Sequence, residues 1–276
     1  MSAGNGKDDQ IETHFLKETK VLLNNEAYRF RDDVKGVFGK VEAKAFVSKR
    51  LAEFRFEQTI GDRNRIKNEA SMIVRLLRYG STRAVRIYNR GEINGIKYIV
   101  TTAMGKNLAD VLKEHKKLEP YAYLHILVQT FLSIRDIHDT HCAHFDIQPS
   151  SFSFKRGDPR WIQASSFHCA FYLRNYEALE KERLQKGERW GVSDDFESWI
   201  FMAYEIVHSE KLKWAKERNP LQMLYSKWLF LVTYRHSVKA VEKRMARLIE
   251  LVFSCSQTNF KGIDELLHFE LMVMHI

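Results

Sequence analysis

The apolar residues change their spacing part-way along the chain, and that change limits the fold more than any other feature of the sequence. Between residues 28 and 56, valines and phenylalanines alternate with charged residues and are interrupted at Gly36 and Gly39, which predicts strands joined by a glycine turn. Over 63–77 the period becomes helical, with Ile66, Ala70, Ile73 and Leu77 on one stripe beside Glu69. Residues 85–87 and 96–101, parted by Glu92-Ile93-Asn94-Gly95, predict a hairpin. After Gly105 helices dominate. The pattern predicts a short one over 107–114 and a long one over 121–138, with Leu124, Leu127, Val128, Phe131, Ile134 and Ile137 facing a core. Another follows Ser193-Asp194 and runs to 207. The stripe Val238, Val241, Met245, Leu248 and Val252 marks a further helix and reads as core rather than as a groove for a partner helix. A strand-rich front and a helix-rich back, with no internal repeat, predict an α+β fold of two lobes. Residues 1–27 are charged, with a weak helical period in Ile11, Phe15 and Leu22, and are expected to form an extension carrying a short helix at most.

Composition narrows the class of function. A chain of 276 residues with 45% hydrophobic content can bury a large core. No run approaches the roughly 20 apolar residues of a membrane span, and the first ten residues hold no apolar signal core, so a cytoplasmic or nuclear location is expected. Cys142, Cys169 and Cys255 are odd in number and far apart, which argues against a disulfide framework or a paired metal knuckle. The formal charge of +9 comes from lysines and arginines scattered among 35 acidic residues. It reads as a solvated basic surface or a face for acidic protein segments, not as a nucleic-acid or membrane footprint. His138, His141, Cys142 and His144 crowd into seven residues, but their spacing across a helix end does not converge four ligands on one ion, so no metal is expected there.

Several short segments, in order, resemble the signature set of protein kinases. Gly36-Val37-Phe38-Gly39-Lys40-Val41 is similar to the latter part of a glycine-rich loop. Ala52-Glu53-Phe54-Arg55 stands where the strand with the phosphate-binding lysine falls, and Lys67-Asn68-Glu69 where the helix supplies its glutamate partner. Tyr98-Ile99-Val100 and Gly105-Lys106-Asn107-Leu108-Ala109-Asp110 resemble the hinge and the helix after it. His144-Phe145-Asp146-Ile147-Gln148-Pro149-Ser150-Ser151-Phe152 matches a catalytic loop of the form H-R-D-I-K-P-S-N-F, and Asp194-Asp195-Phe196-Glu197-Ser198 resembles a central-helix segment D-D-L-W-S. The set covers roughly residues 28–268. It is most similar to the casein kinase 1 superfamily, in particular to the tau-tubulin kinase branch. The resemblance implies a β-rich small lobe over 28–104 and a helical large lobe over 105–276.

The resemblance also shows what is changed. Phosphoryl transfer needs positioned metal ions, a cation on the nucleotide phosphates and a base for the acceptor hydroxyl. Ser151 stands at the magnesium-binding asparagine, and no asparagine occurs from 147 to 155. Ser166-Phe167-His168 replaces D-F-G, so neither metal position offers the anionic oxygen that magnesium prefers. His168 also adds a side chain where glycine leaves the backbone free. Arg55 keeps the charge of the phosphate lysine in a wider, planar group, expected to pair with Glu69 and hold the small lobe together without a nucleotide. Gln148 removes a second cation, Val34 puts a β-branched residue at the first loop glycine, and Phe145 removes the arginine that receives an activation-loop phosphate. The segment 172–193 holds nothing like the substrate platform of the family.

What remains is Asp146 at the base position, His144 and Asp195 as braces of the loop, and a small Thr101 at the gatekeeper position of a degenerate ATP site formed with Gly36, Gly39, Arg55 and Glu69. The expectation is a monomeric, catalytically inactive kinase-like domain without a cofactor, binding proteins such as active relatives or their substrates. The alternative is a weak serine/threonine kinase that still binds ATP without magnesium and uses Asp146, Arg55 and either Asp158 or Asp194.

Overall fold

The computed structural model describes residues 13–58, 64–115, 117–172, 192–208, 212 and 214–235, with isolated positions at 247, 262, 263, 265 and 267. The chain divides into two compact units, one running to Val74 and including Val85–Met104, the other made of Arg75–Ala84 and the residues from Gly105 onward. Both strands and helices are present, as an α+β kinase-like fold requires.

The first unit is built on a six-stranded antiparallel sheet. Its strands are β2 (Lys20–Leu23), β3 (Glu26–Phe30), β5 (Phe38–Ala45), β6 (Leu51–Gln58), β7 (Ile87–Ile93) and β8 (Ile96–Thr102), in spatial order 2-3-5-6-8-7. A separate pair joins β1 (Thr13–Phe15) to β4 (Val34–Lys35). Phe30, Phe54, Phe56 and Tyr98 fill one face, with Phe54 centred 4.9 Å from Phe30 and 5.5 Å from Tyr98. Contacts of this kind add about 1 kcal/mol each beyond the area they bury. The hairpin of β7 and β8 turns at Asn94 and Gly95, whose φ values of 50° and 72° are those of a two-residue type I′ turn. Helix α1 (Arg65–Arg78) follows β6.

Two of these strands correct the expectation for residues before Tyr28. In β2, Val21 and Leu23 are buried while Lys20 and Leu22 are exposed, a period of two that the faint helical spacing of Ile11, Phe15 and Leu22 concealed. Asn24, with φ 51°, makes the turn into β3, a conformation asparagine tolerates well.

The second unit is organised by helix α3 (Pro120–Asp139), preceded by α2 (Leu108–Glu114), whose first turn is capped by the Asn107 side chain accepting from Ala109 N at 2.8 Å. Helix α4 (Val192–His208) packs on α3, with Phe131 centred 5.4 Å from Trp199, and the Trp199 indole N–H donating to Thr130 Oγ1 at 3.0 Å. Strands β10 (Phe152–Lys155) and β11 (Asp158–Ala164) make a hairpin on α3, and two short strands, β9 (Cys142–Ala143) and β12 (Phe171–Tyr172), pair antiparallel. Helix α5 (Pro220–Arg235) was not foreseen. Its exposed residues Leu221, Leu224, Tyr225 and Trp228 lie at helical spacing, but Met223 and Phe230 are apolar on the opposite face, so no polar face sets the stripe off. The predicted stripe from Val238 to Val252 and most of 172–193 lie outside the described residues.

Candidate functional site

In the first unit the charged residues of β6 are the notable feature. Alternation places Ala52, Phe54 and Phe56 on the aromatic core, so Glu53, Arg55 and Glu57 share the opposite face. That face is also buried, with Arg55 only 3% exposed. Arg55 Nε donates to Glu53 Oε1 at 2.6 Å, and its Nη1 donates to Glu69 Oε1 from α1. Lys40, paired with Arg55 across the strands, adds a longer contact of 3.7 Å to Glu53. Burial opposes the charge on Arg55, but Glu69 and Glu53 together outweigh it and hold the guanidinium above its ordinary pKa. Two carboxylates thus enclose one cation. Glu57 completes the face by accepting from Ile66 N at 3.1 Å, standing in for an N-cap at the start of α1.

The remaining first-unit residues have local explanations. Gly36, with φ 81°, makes the turn from β4 to β5 and would strain any other residue. Gly39 lies in β5, where a Cβ would meet the Phe56 ring at 3.1 Å, so its missing side chain is occupied by the aromatic core. Val34 is fully buried in β4, and Thr101 is fully buried in β8.

In the second unit one carboxylate organises a loop. Asp195, in the first turn of α4, accepts from His144 N at 2.6 Å and Phe145 N at 2.8 Å, and bonds His138 Nε2 at 2.8 Å. Phe145 takes φ 60°, a left-handed conformation that costs about 1 kcal/mol for such a residue and lets two successive N–H groups converge on the carboxylate. His144 is fully buried and its Nδ1 accepts from Asp146 N at 3.2 Å. Burial pushes the His144 imidazole below its ordinary pKa, against the pull of Asp195 and Asp146. Asp146 is held on both sides: Gln148 Nε2 donates to its Oδ1 at 2.7 Å, and the Ser151 hydroxyl donates to its carbonyl at 2.5 Å.

Across from this loop, Ser166 Oγ bonds His168 Nδ1 at 2.8 Å, and His168 Nε2 lies 3.7 Å from Asp146 Oδ2. The crowded set at the end of α3 does not converge: His138 turns to Asp195, the Cys142 thiol donates to Thr140 O at 3.7 Å, and His141 is exposed. Burial pushes the Cys142 thiol up, away from the thiolate form. Two residues were missed in the sequence. Glu53 stands out in the sequence only as part of the Ala52-Glu53-Phe54-Arg55 segment, and Cys169, adjacent to His168, only as one of three widely spaced cysteines.

Two nematode proteins are similar to part of the chain. "Putative serine/threonine-protein kinase ZK507.3" of Caenorhabditis elegans is 29% identical over 127 residues, 45% of this chain and 34% of its own length. "Putative serine/threonine-protein kinase ZK507.1" of the same organism is 25% identical over 151 residues, 45% of this chain and 43% of its own. The chain carries a protein-kinase-like domain. This kinase-like chain spans less than half the length of either relative. No profile of a known protein family matches it. Within the kinase-like domain, Asp146 has the geometry of an anchored carboxylate, and the hydroxyls of Ser151 and Ser166 are engaged with the protein itself. No helix among the described residues is long and apolar enough to cross a membrane.

Proposed function

We propose that this kinase-like domain belongs with the casein kinase 1 superfamily, near its tau-tubulin kinase branch, and is catalytically silent. It works as a protein-binding module or scaffold in signalling. The observation that carries this reading is the bonding of the two serines at the magnesium positions. Ser151 Oγ donates to the Asp146 carbonyl, Ser166 Oγ is tied to His168, and neither supplies negative charge to hold a hard cation against water. The enclosure of Arg55 by Glu53 and Glu69 adds to it, because two carboxylates beside the cation at the phosphate position disfavour an anionic ligand. The partners in this reading are active kinases of the same superfamily or their protein substrates, met by a monomer in the cytoplasm or nucleus, without nucleic acid or membrane.

The test is thermal unfolding of the full chain titrated with ATP, with and without magnesium. The expected result is no magnesium-dependent rise in Tm, since a ligand bound at 100 times its Kd would add about 2.7 kcal/mol of stability. A magnesium-dependent rise overturns the proposal. A second reading, a weak serine/threonine kinase using Asp146, draws on the descriptions of the two relatives and on the retained carboxylate. It predicts phosphate transfer from ATP that an Asp146→Asn variant abolishes.

A further inference from the structure

Asp146, His168 and Cys169 bring a carboxylate oxygen, an imidazole nitrogen and a thiol sulfur to within 4.8 Å of one another. They come from two segments joined by the pairing of β9 with β12, in which Ala143 faces Phe171 and Cys142 faces Tyr172. His168 and Cys169 are the two central residues of a turn closed by Ala170 N donating to Phe167 O at 3.0 Å. That turn presents both side chains beside Asp146. The 3.7 Å between His168 Nε2 and Asp146 Oδ2 is too long for a hydrogen bond. It is close to the roughly 3.3–3.6 Å that separates two ligands of one tetrahedral zinc ion, given metal–ligand bonds of about 2.0–2.3 Å.

We infer that Asp146, His168 and Cys169 form a binding site for a borderline divalent transition-metal ion, Zn2+ foremost. A mixed oxygen, nitrogen and sulfur set suits zinc, and it is the wrong set for magnesium or calcium, which take oxygen alone. The positioning of the ligands is already built. Ser166 Oγ bonds His168 Nδ1 while Nε2 lies on the Asp146 side, 3.7 Å from Oδ2, the arrangement in which an outer group fixes the imidazole of a metal ligand. Gln148 takes Asp146 Oδ1 and Ser151 takes its carbonyl, so Oδ2 is the oxygen presented to the ion. Cys169 is exposed, and on coordination its thiol releases one proton to solvent and binds as thiolate; the fourth position is left to water. The bound ion would fasten the Asp146 loop to the 167–170 turn. This inference does not rest on the loss of kinase activity, since zinc binding is read without nucleotide.

The test uses the full chain, stripped with a chelator and titrated with Zn2+ against a chromophoric competitor, with Co2+ as a spectroscopic substitute. One equivalent of Zn2+ binds. The Co2+ form shows tetrahedral visible bands and a near-ultraviolet thiolate charge-transfer band. Cys169→Ser removes the charge-transfer band, whereas Cys142→Ser and Cys255→Ser keep it. His168→Ala and Cys169→Ser each weaken Zn2+ by at least about 100-fold, and Ser166→Ala weakens it by about 10-fold. If an alanine variant does not fold, Asp146→Asn, nearly the same shape, carries the test with a loss of about 10-fold or more. Absence of stoichiometric binding to the native chain, or binding that survives both His168→Ala and Cys169→Ser, overturns the inference.

Discussion

Arg55 sits between two buried carboxylates, and most of its energetic weight lies in what its removal would expose. Arg55→Ala removes the cation that Glu53 and Glu69 share and leaves Glu53 with the longer Lys40 contact of 3.7 Å, which is expected to cost about 3–5 kcal/mol in urea unfolding. Arg55→Met, which fills the volume, leaves the same carboxylates and is rescued by adding Glu53→Gln and Glu69→Gln. A triple variant no more stable than Arg55→Met alone would show that the charges are not the cause. The pairing with Glu69 was legible because the resemblance supplies it, whereas the role of Glu53 was not. Period-two alternation marks Glu53, Arg55 and Glu57 as one face of a strand, but only tertiary structure says that the face is covered.

His144 gives a pH dependence at the same scale. Its folded pKa lies below the ordinary value of 6.5, so the unfolded chain binds the proton more readily. The contribution of His144 to stability is therefore complete above pH 6.5 and is lost as pH falls from there through the folded value. Tm measured from pH 7.5 to 5 should fall, and His144→Gln should reduce the part of that fall that lies just below pH 6.5. An unchanged profile in the variant would assign the acid sensitivity to other groups.

At the scale of elements, the hairpin of β7 and β8 was legible because its turn has one chemical solution, although its first strand runs Ile87–Ile93 and not over 85–87. Asn94-Gly95 suits the left-handed pair that a type I′ turn demands, and Gly95→Ala, placed at φ 72°, should destabilise by about 1 kcal/mol. Gly39 teaches the opposite lesson. Its place in a glycine-rich segment suggested close approach to a ligand, yet the space beside it belongs to Phe56. Gly39→Val should cost about 1–3 kcal/mol by overpacking, read as a lower denaturation midpoint with an unchanged m value. Helices α1 and α3 were legible from their stripes and α4 from the Ser193-Asp194 that marks its start, whereas β10 and β11 were not. The β10–β11 hairpin follows a catalytic-loop-like segment whose motif drew the reading away from the short apolar alternation after it. Spacing along the chain could not find Asp146, His168 and Cys169, which come together only in the fold, where β9 pairs with β12.

At the scale of the whole molecule, both units are closed by contacts that reach far along the chain. In the first, the Asn89 side chain donates to Leu23 O, 66 residues away; in the second, Asp195 reaches back 51 residues to His144. Asp195→Ala leaves two backbone N–H groups and His138 without their carboxylate, and is expected to lower stability by about 3–5 kcal/mol while the near-ultraviolet signal of the Trp199 environment weakens with it. A loss under 1 kcal/mol would mean that water replaces the carboxylate at little cost. The two-residue pairing of β9 with β12 carries a consequence for the timing of motion. So short a ladder cannot open at one end and stay closed at the other, and it tethers the Asp146 loop to the turn of His168 and Cys169. The ladder amide protons of β9 and β12 should therefore exchange with solvent at a common rate, as a single cooperative unit whose two halves, in register at Ala143 and Phe171, are 28 residues apart in the chain.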